Sequence, residues 1–299
     1  MGLKSALLLT TLVLTWQSSL AQKAAQAPTG GQTHIYKTVG NLELPLYLYK
    51  PAGQKAKKPA PAVVFFFGGG WKSGTPSQFE EQCKYLAKRG MVAITVEYRV
   101  STRHQCKIED CISDARSAMR WVRGNAKRLG VDPTRIASGG GSAGGHLAAA
   151  VSLMDSFDRK QDDQSVSAEP DALVLFNPAL ALAPHDDLPE AYGEGLASRL
   201  QHRARGPVAK VSPLHYARQK QPPCIMFFGT ADNLLVGAEA YRAASVAAGN
   251  QCHIITYPDQ KHGFFNFGRG GGKYYKLTVA EMDKFFVSLG WLKADGATR

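Results

Sequence analysis

Residues 138–150 read SGGGSAGGHLAAA: a serine set among glycines, then a histidine and a run of alanine that suits a helix. Just upstream, RIASG at 135–139 is short and strand-like, so the serine falls where a strand gives way to a helix. Gly140-Gly141-Ser142-Ala143-Gly144 fits G-x-S-x-G, in which a sharp strand-to-helix turn lifts a nucleophilic serine out of the sheet while glycines on either side let neighbouring elements approach. The same glycines also suit an ordinary tight turn. The rest of the chain separates the two readings, because a nucleophile needs a base and an acid elsewhere and a turn does not.

Outward from this stretch the pattern alternates. Upstream, PAVVFFF at 61–67 is wholly apolar and rich in β-branched and aromatic residues, as expected of a strand covered on both faces. It is followed by a helix over about 77–89, a strand MVAITVEY at 91–98 and a helix over about 108–128. Downstream of the serine the spacing predicts a helix to about Met154, the strand ALVLFN at 172–177, an irregular insertion, the strand CIMFFG at 224–229, a helix over 236–248, the strand CHIITYP at 252–258 and a closing helix over 276–289. At the front, THIYKTV at 33–39 and LELPLYLY at 42–49 are close enough to pair as an antiparallel hairpin. Strands alternating with helices of this length predict an α/β fold with a mainly parallel sheet and helices on both faces.

In such a sheet, ligands bind at the carboxyl ends of the strands. Asp232 lies in FFGTADNL directly after one predicted strand, and His262 lies in YPDQKHGFF directly after the next. The order Ser142, Asp232, His262 is that of an α/β-hydrolase triad, in which imidazole takes the serine proton and a carboxylate fixes the imidazole tautomer. Gly68-Gly69-Gly70-Trp71 leaves the strand at 61–67, where glycines allow backbone N–H groups to approach a developing oxyanion. The expected donors are the N–H groups of Gly69, Gly70 and Ala143. Asp259, three residues before His262, is the rival acid. His146 is expected to pack in the helix interior, Glu97 to pair with Arg99, and Trp71 either to wall the acyl pocket or to pack beneath the loop.

VVFFFGGGW, VEYR at 96–99, GGGSAGGHLA, FFGTAD and KHGFFN together resemble the hormone-sensitive-lipase-like esterases of the α/β-hydrolase superfamily. More narrowly they resemble the secreted bacterial carbohydrate esterases, which include acetylxylan and feruloyl esterases. The similarity spans about residues 33–292. It implies hydrolysis of carboxylic esters by a serine hydrolase without cofactor or metal, on an acylated carbohydrate or another small ester. Two positions depart from the pattern. Phe67 stands where such esterases carry a histidine that braces the oxyanion loop, and Gly141 stands where they often carry Asp or Glu, so the loop is expected to be braced by other groups.

The first 21 residues, MGLKSALLLTTLVLTWQSSLA, combine one lysine, a short apolar run and small residues at a cleavage position, which predicts a signal peptide and a secreted or periplasmic protein. A flexible stretch is expected over 22–32, before the hydrolase domain at 33–292. No later run is long enough to span a bilayer, so no stable membrane association is expected. The formal charge is +12, with dense basic clusters at KAKK (55–58) and RLQHRARG (199–206). Neither is interleaved with aromatics or set in a nucleic-acid-binding motif, so nucleic acid is not expected as a partner, whereas acidic polysaccharide fits the charge. Five cysteines in an exported chain permit two disulfides with one thiol left over, and the flanking of one strand by Cys83 and Cys111 suggests that pair.

The insertion at about 179–221 is the expected cap. It has few bulky apolar residues, which favours a short acyl group on a polar alcohol, acetyl foremost. A feruloyl ester, a serine peptidase of prolyl-oligopeptidase type and a noncatalytic carbohydrate-binding protein on the same scaffold are the alternatives. The peptidase would require a propeller domain before the catalytic region, and none is expected from the sequence pattern.

Overall fold

The computed structural model describes residues 27–53, 59–189, 192 and 194–294. The signal-peptide stretch and the KAKK cluster lie outside the described residues. Thr29, within the stretch expected to be flexible, bonds the Glu80 carboxylate through its hydroxyl (2.6 Å) and its N–H (3.1 Å).

One eight-stranded sheet organises the described residues. Its strands are β1 (Gln32–Val39), β2 (Leu42–Tyr49), β3 (Ala60–Phe66), β4 (Val92–Val96), β5 (Val131–Gly141), β6 (Ala172–Phe176), β7 (Cys224–Gly229) and β8 (Cys252–Tyr257), in the spatial order β1-β2-β4-β3-β5-β6-β7-β8. The predicted hairpin forms: β1 and β2 pair antiparallel, with Val39 opposite Leu42 across a two-residue turn at Gly40 and Asn41. β2 joins β4 antiparallel, and every pairing from β4 onward is parallel.

Helices α1 (Glu80–Arg89), α2 (Ser101–His104), α3 (Ile108–Gly124), α4 (Ala126–Leu129), α5 (Ala143–Leu153), α6 (Glu194–Gln201), α7 (Leu235–Ala247) and α8 (Lys273–Ser288) complete the chain. The single helix expected over 108–128 is two, because Asn125 leaves helical geometry and turns its amide back onto the Trp121 carbonyl at 2.8 Å. The apolar run of β3 serves two cores at once. Val64 and Phe66 face Ile112, Met119, Leu147 and Val151 of α3 and α5, while Val63 and Phe65 face Leu86 of α1 and Met282 and Phe286 of α8.

That division corrects the cysteine pairing. Cys83 lies in the core under α1 and α8, and Cys111 lies in the core on the other face of the sheet, so the sheet separates them. All five cysteines are buried free thiols. The two across-strand neighbours are Cys224 and Cys252, directly opposite in the β7–β8 register.

Between β6 and β7, where a cap was expected, the chain carries α6 and two short 3-10 turns at Val208–Val211 and Pro213–Tyr216. Val208, Val211 and Leu214 are buried, and Arg203 accepts the Ile108 N–H on its carbonyl at 2.9 Å, fixing the segment to the start of α3.

Candidate active site

The parallel strands end at a common edge: Gly141 is level with Phe176, and Phe176 with Phe227. Gly68, Gly69 and Gly70 follow β3, Ser142 follows β5, Asn177 follows β6, Asp232 follows β7 and His262 follows β8. Positions far apart along the chain are thereby delivered to one rim.

Ser142 occupies a strained turn, with φ 55° and ψ −118°, a conformation that costs a non-glycine residue about 1–3 kcal/mol. The turn survives because both sides are clamped: the Ser142 N–H donates to the Phe176 carbonyl at 2.9 Å, and its own carbonyl accepts the N–H groups of His146 and Ala179. Its tightness also requires Gly144, where a Cβ would fall 1.9 Å from the Phe66 carbonyl oxygen. The Ser142 Oγ lies 2.8 Å from His262 Nε2, and His262 Nδ1 lies 2.7 Å from Asp232 Oδ2. Asp232 is buried and its second oxygen accepts the Leu234 N–H at 3.0 Å, whereas the imidazole is partly open to solvent. The structure thus brings together the three residues named from the sequence. Asp259 is exposed, with its N–H bonded to the Thr230 hydroxyl, and it is Asp232 that meets the imidazole.

Among the described residues, the N–H groups of Gly69, Gly70 and Ala143 have no acceptor within the chain. Ala143 is the first residue of α5, whose N-terminal donors are free and carry the positive end of the helix dipole. Gly68 abuts Ser142, since a Cβ there would be 3.3 Å from the Ser142 Cβ. Gly69 has φ +125°, and a side chain on it would strike the Ser73 carbonyl at 2.1 Å, so only glycine fits this curl.

The two departures from the esterase pattern acquire physical reasons. A Cβ on Gly141 would lie 2.5 Å from the Phe265 ring, which fills the space that a carboxylate side chain needs. Phe67 is fully buried and stacks on Tyr98 at 4.1 Å, while the Tyr98 hydroxyl donates to the Phe67 carbonyl at 2.7 Å. The loop is braced by several other groups. Gln78 accepts the Gly68 N–H at 2.6 Å, Arg203 donates to the Gly70 carbonyl at 3.0 Å, and Arg103 donates to the Gly74 carbonyl at 2.9 Å.

Gln78 also reaches the histidine loop. Its amide donates to Asn266 Oδ1 at 2.9 Å, and Asn266 donates to the Gly263 carbonyl at 2.8 Å. From the other side, Asn177 Oδ1 accepts the Gly263 N–H at 3.0 Å and Arg269 donates to the His262 carbonyl at 2.8 Å. The sequence reading missed all four of these residues. Asn177 had a usable signal, since it is a polar residue at the end of a buried strand; Gln78, Asn266 and Arg269 carried none.

Trp71 packs beneath the loop. It is only 5% exposed, and its indole N–H donates to His146 Nδ1 at 3.1 Å with the rings edge-on, so the ring itself does not form an open acyl wall. His146 packs in the helix interior, as expected. Burial holds its pKa down to about 4, and the neutral ring accepts from Trp71 and donates Nε2–H to the Val211 carbonyl at 2.7 Å. The expected Glu97–Arg99 pair is not formed. Glu97 pairs with Arg103 at 2.5 Å, because the chain turns into α2 at Ser101 and swings Arg103 back, while Arg99 is taken by the fully buried Asp114 at 2.8 Å. Burial pushes the Glu97 carboxyl up to about 7 against the opposing pull of Arg103.

Residues 46–243 match the BD-FAE family. The chain belongs to that family. It is 27% identical to the carboxylesterase NlhH of Mycobacterium tuberculosis over 76% of this chain and 73% of that protein. Among solved structures, Est2, a thermophilic esterase of the planctomycete Thermogutta terrifontis, is 44% identical and covers 90% of this chain and 97% of its own, both with propionate bound and with butyrate bound, at a TM-score of 0.83 in each case. These likenesses make the chain an α/β-hydrolase esterase acting on carboxylic esters. No group of three or more metal-ligating side chains occurs among the described residues, and no described helix is long and apolar enough to cross a membrane.

Proposed function

We propose that the protein is an exported serine esterase that removes short acyl groups, acetyl to butyryl, from plant or algal polysaccharide, with Ser142 as nucleophile, His262 as base and Asp232 as its orienting acid. The observation that carries the reading is the unbroken hydrogen-bond chain from the Ser142 hydroxyl through His262 to buried Asp232. With Asp232 accepting Nδ1–H, Nε2 is left to take the Ser142 proton as Oγ attacks the ester carbonyl. The oxyanion forms against the N–H groups of Gly69, Gly70 and Ala143. Preorganised donors of this kind are each worth about 10²–10³ in rate. His262 then protonates the departing alcohol, and water repeats the sequence on the acyl-enzyme.

The short acyl preference draws on the propionate and butyrate complexes of Est2 and on the scarcity of bulky apolar residues in the 179–221 segment. Export rests on the leader sequence, and the carbohydrate alcohol on the sequence motifs. The test is covalent labelling by a fluorophosphonate followed by peptide mapping, with kcat/KM measured on 4-nitrophenyl esters from C2 to C12, methyl ferulate and acetylated xylan. Labelling at Ser142, a maximum between C2 and C4 and release of acetate from xylan are expected. Absence of labelling refutes the nucleophile, a maximum at C8 or beyond refutes the short-acyl preference, and ferulate turnover far above acetate makes the enzyme a feruloyl esterase.

A further inference from the structure

A cavity of about 350 Å³ lies beside the oxyanion loop, lined by Lys72, Lys107, Arg203, His202, Ser101 and Gln105 among others. This volume falls at the lower end of the range of about 300–1,000 Å³ for small-molecule sites. No carboxylate lines it. The nearby acids are directed elsewhere: Asp110 accepts the backbone N–H of Lys107 and pairs with Arg205 and Arg99, and Glu109 accepts the backbone N–H of Arg205 at 2.6 Å. Among the described residues Lys72 and Arg203 have no carboxylate partner, and the Lys107 ammonium donates to the His202 carbonyl at 2.6 Å. Three cations without a carboxylate partner among the described residues therefore line one concave space, beside a hydroxyl, an amide and an imidazole suited to binding sugar hydroxyls.

The same residues hold the catalytic loop. Arg203 donates to the Gly70 carbonyl at 3.0 Å, the Lys72 N–H to the Gly69 carbonyl at 3.1 Å, and the Ser101 N–H to the Trp71 carbonyl at 3.0 Å. Lys72 is four residues beyond Gly68, which abuts Ser142, so its backbone is within about 14 Å of Gly68 by chain length alone. An oligosaccharide is long enough to bridge that distance. We propose that this cavity is a subsite for a carboxylate-bearing sugar, a uronate, of the polymer whose neighbouring ester is cleaved at Ser142. The proposal deepens, and rests on, the polysaccharide reading above. It gives the chain's excess of positive charge a local role, which is to steer an acidic polymer and seat one of its carboxylates beside the loop that stabilises the oxyanion.

Titration calorimetry in about 20 mM NaCl, where screening is weak, with trigalacturonate, maltotriose and inorganic phosphate tests the subsite without requiring turnover. Trigalacturonate is expected to bind and maltotriose not to. The double variant Lys72→Gln/Lys107→Gln should weaken trigalacturonate about tenfold, or about 1.4 kcal/mol. The charge-matched pair Lys276→Gln/Lys284→Gln, exposed on α8, should weaken it less than about twofold. Thermal melts establish that both doubles are folded. No trigalacturonate binding, equal weakening by the two pairs, or phosphate binding as tight as trigalacturonate each overturns the proposal. In parallel, acetate release from acetylated homogalacturonan and acetylated glucomannan is measured. If neither polymer is deacetylated while 4-nitrophenyl acetate is, the polysaccharide reading falls, and the titration alone decides whether the cavity binds uronate.

Discussion

Gln78 joins the two halves of the candidate site, and its replacement tests whether the oxyanion loop is held as the geometry says. Gln78→Ala removes the acceptor for the Gly68 N–H at 2.6 Å and the donor to Asn266 at 2.9 Å. Two hydrogen bonds at about 1 kcal/mol each, with a partly buried N–H left unpaired, should cost about 2–3 kcal/mol of stability. The larger effect is on rate. Gly68 leads directly into the Gly69 and Gly70 donors, and a displacement of about 1 Å in such a site costs about 10²-fold. With Arg203, Arg103 and Tyr98 still bracing the loop, kcat should fall about 10- to 100-fold while KM for 4-nitrophenyl butyrate moves less than about threefold, because the lost interaction belongs to the transition state. Gln78→Glu separates the two bonds. It keeps an acceptor for Gly68 but sets a carboxylate oxygen against Asn266 Oδ1, so its kcat should lie between wild type and the alanine variant. Steady-state kinetics on both variants, with melting curves to establish folding, decide the matter. If folded Gln78→Ala keeps kcat within about twofold of wild type, or if only its KM changes, Gln78 does not position the loop.

Three further outcomes follow from the same geometry. Asp232→Asn should lower kcat by about 10⁴ through loss of the required tautomer, while Asp259→Asn stays within about twofold; the reverse ranking would reassign the acid. Gly69→Ala, which drives a Cβ to within 2.1 Å of the Ser73 carbonyl, should abolish turnover while fluorophosphonate still labels Ser142 slowly, and near-normal turnover would show that the loop is not curled as described. Glu97, raised to about 7 by burial, is protonated in the folded state over a range where the unfolded chain has already ionised. The unfolded state therefore binds fewer protons between about pH 4.5 and 7, and this group's contribution to stability is present below that window and lost as pH rises through it, by up to about 3 kcal/mol. Denaturant melts from about pH 4.5 to 8 should show this decline in wild type and a flatter profile in Glu97→Gln, and parallel profiles would place the titration elsewhere.

The features legible in the sequence are those whose cause is local. An apolar run such as PAVVFFF must be covered on both faces wherever it sits, and it forms β3 with a core on each side. A serine between glycines at a strand end must turn sharply, and Ser142 does so with φ 55°. Features set by through-space partners were not legible. Glu97 and Arg99, two residues apart, share a face only while the strand continues, and the turn into α2 replaces Arg99 with Arg103. Helical placement of Cys83 and Cys111 does not state on which face of the sheet each helix lies. Gln78 and Asn266 are 188 residues apart and become neighbours only once α1, β3 and the loop after β8 are in place. Phe67 shows the same limit from the other side. Where one histidine braces the loop, its position in the motif announces it. Here the bracing is divided among Tyr98, Gln78, Arg103 and Arg203, on separate segments of the chain. A support divided in this way leaves no motif, and it ties the oxyanion loop to the histidine loop through Gln78 and to the segment between β6 and β7 through Arg203. A change that shifts that segment is therefore expected to displace the Gly70 backbone through Arg203.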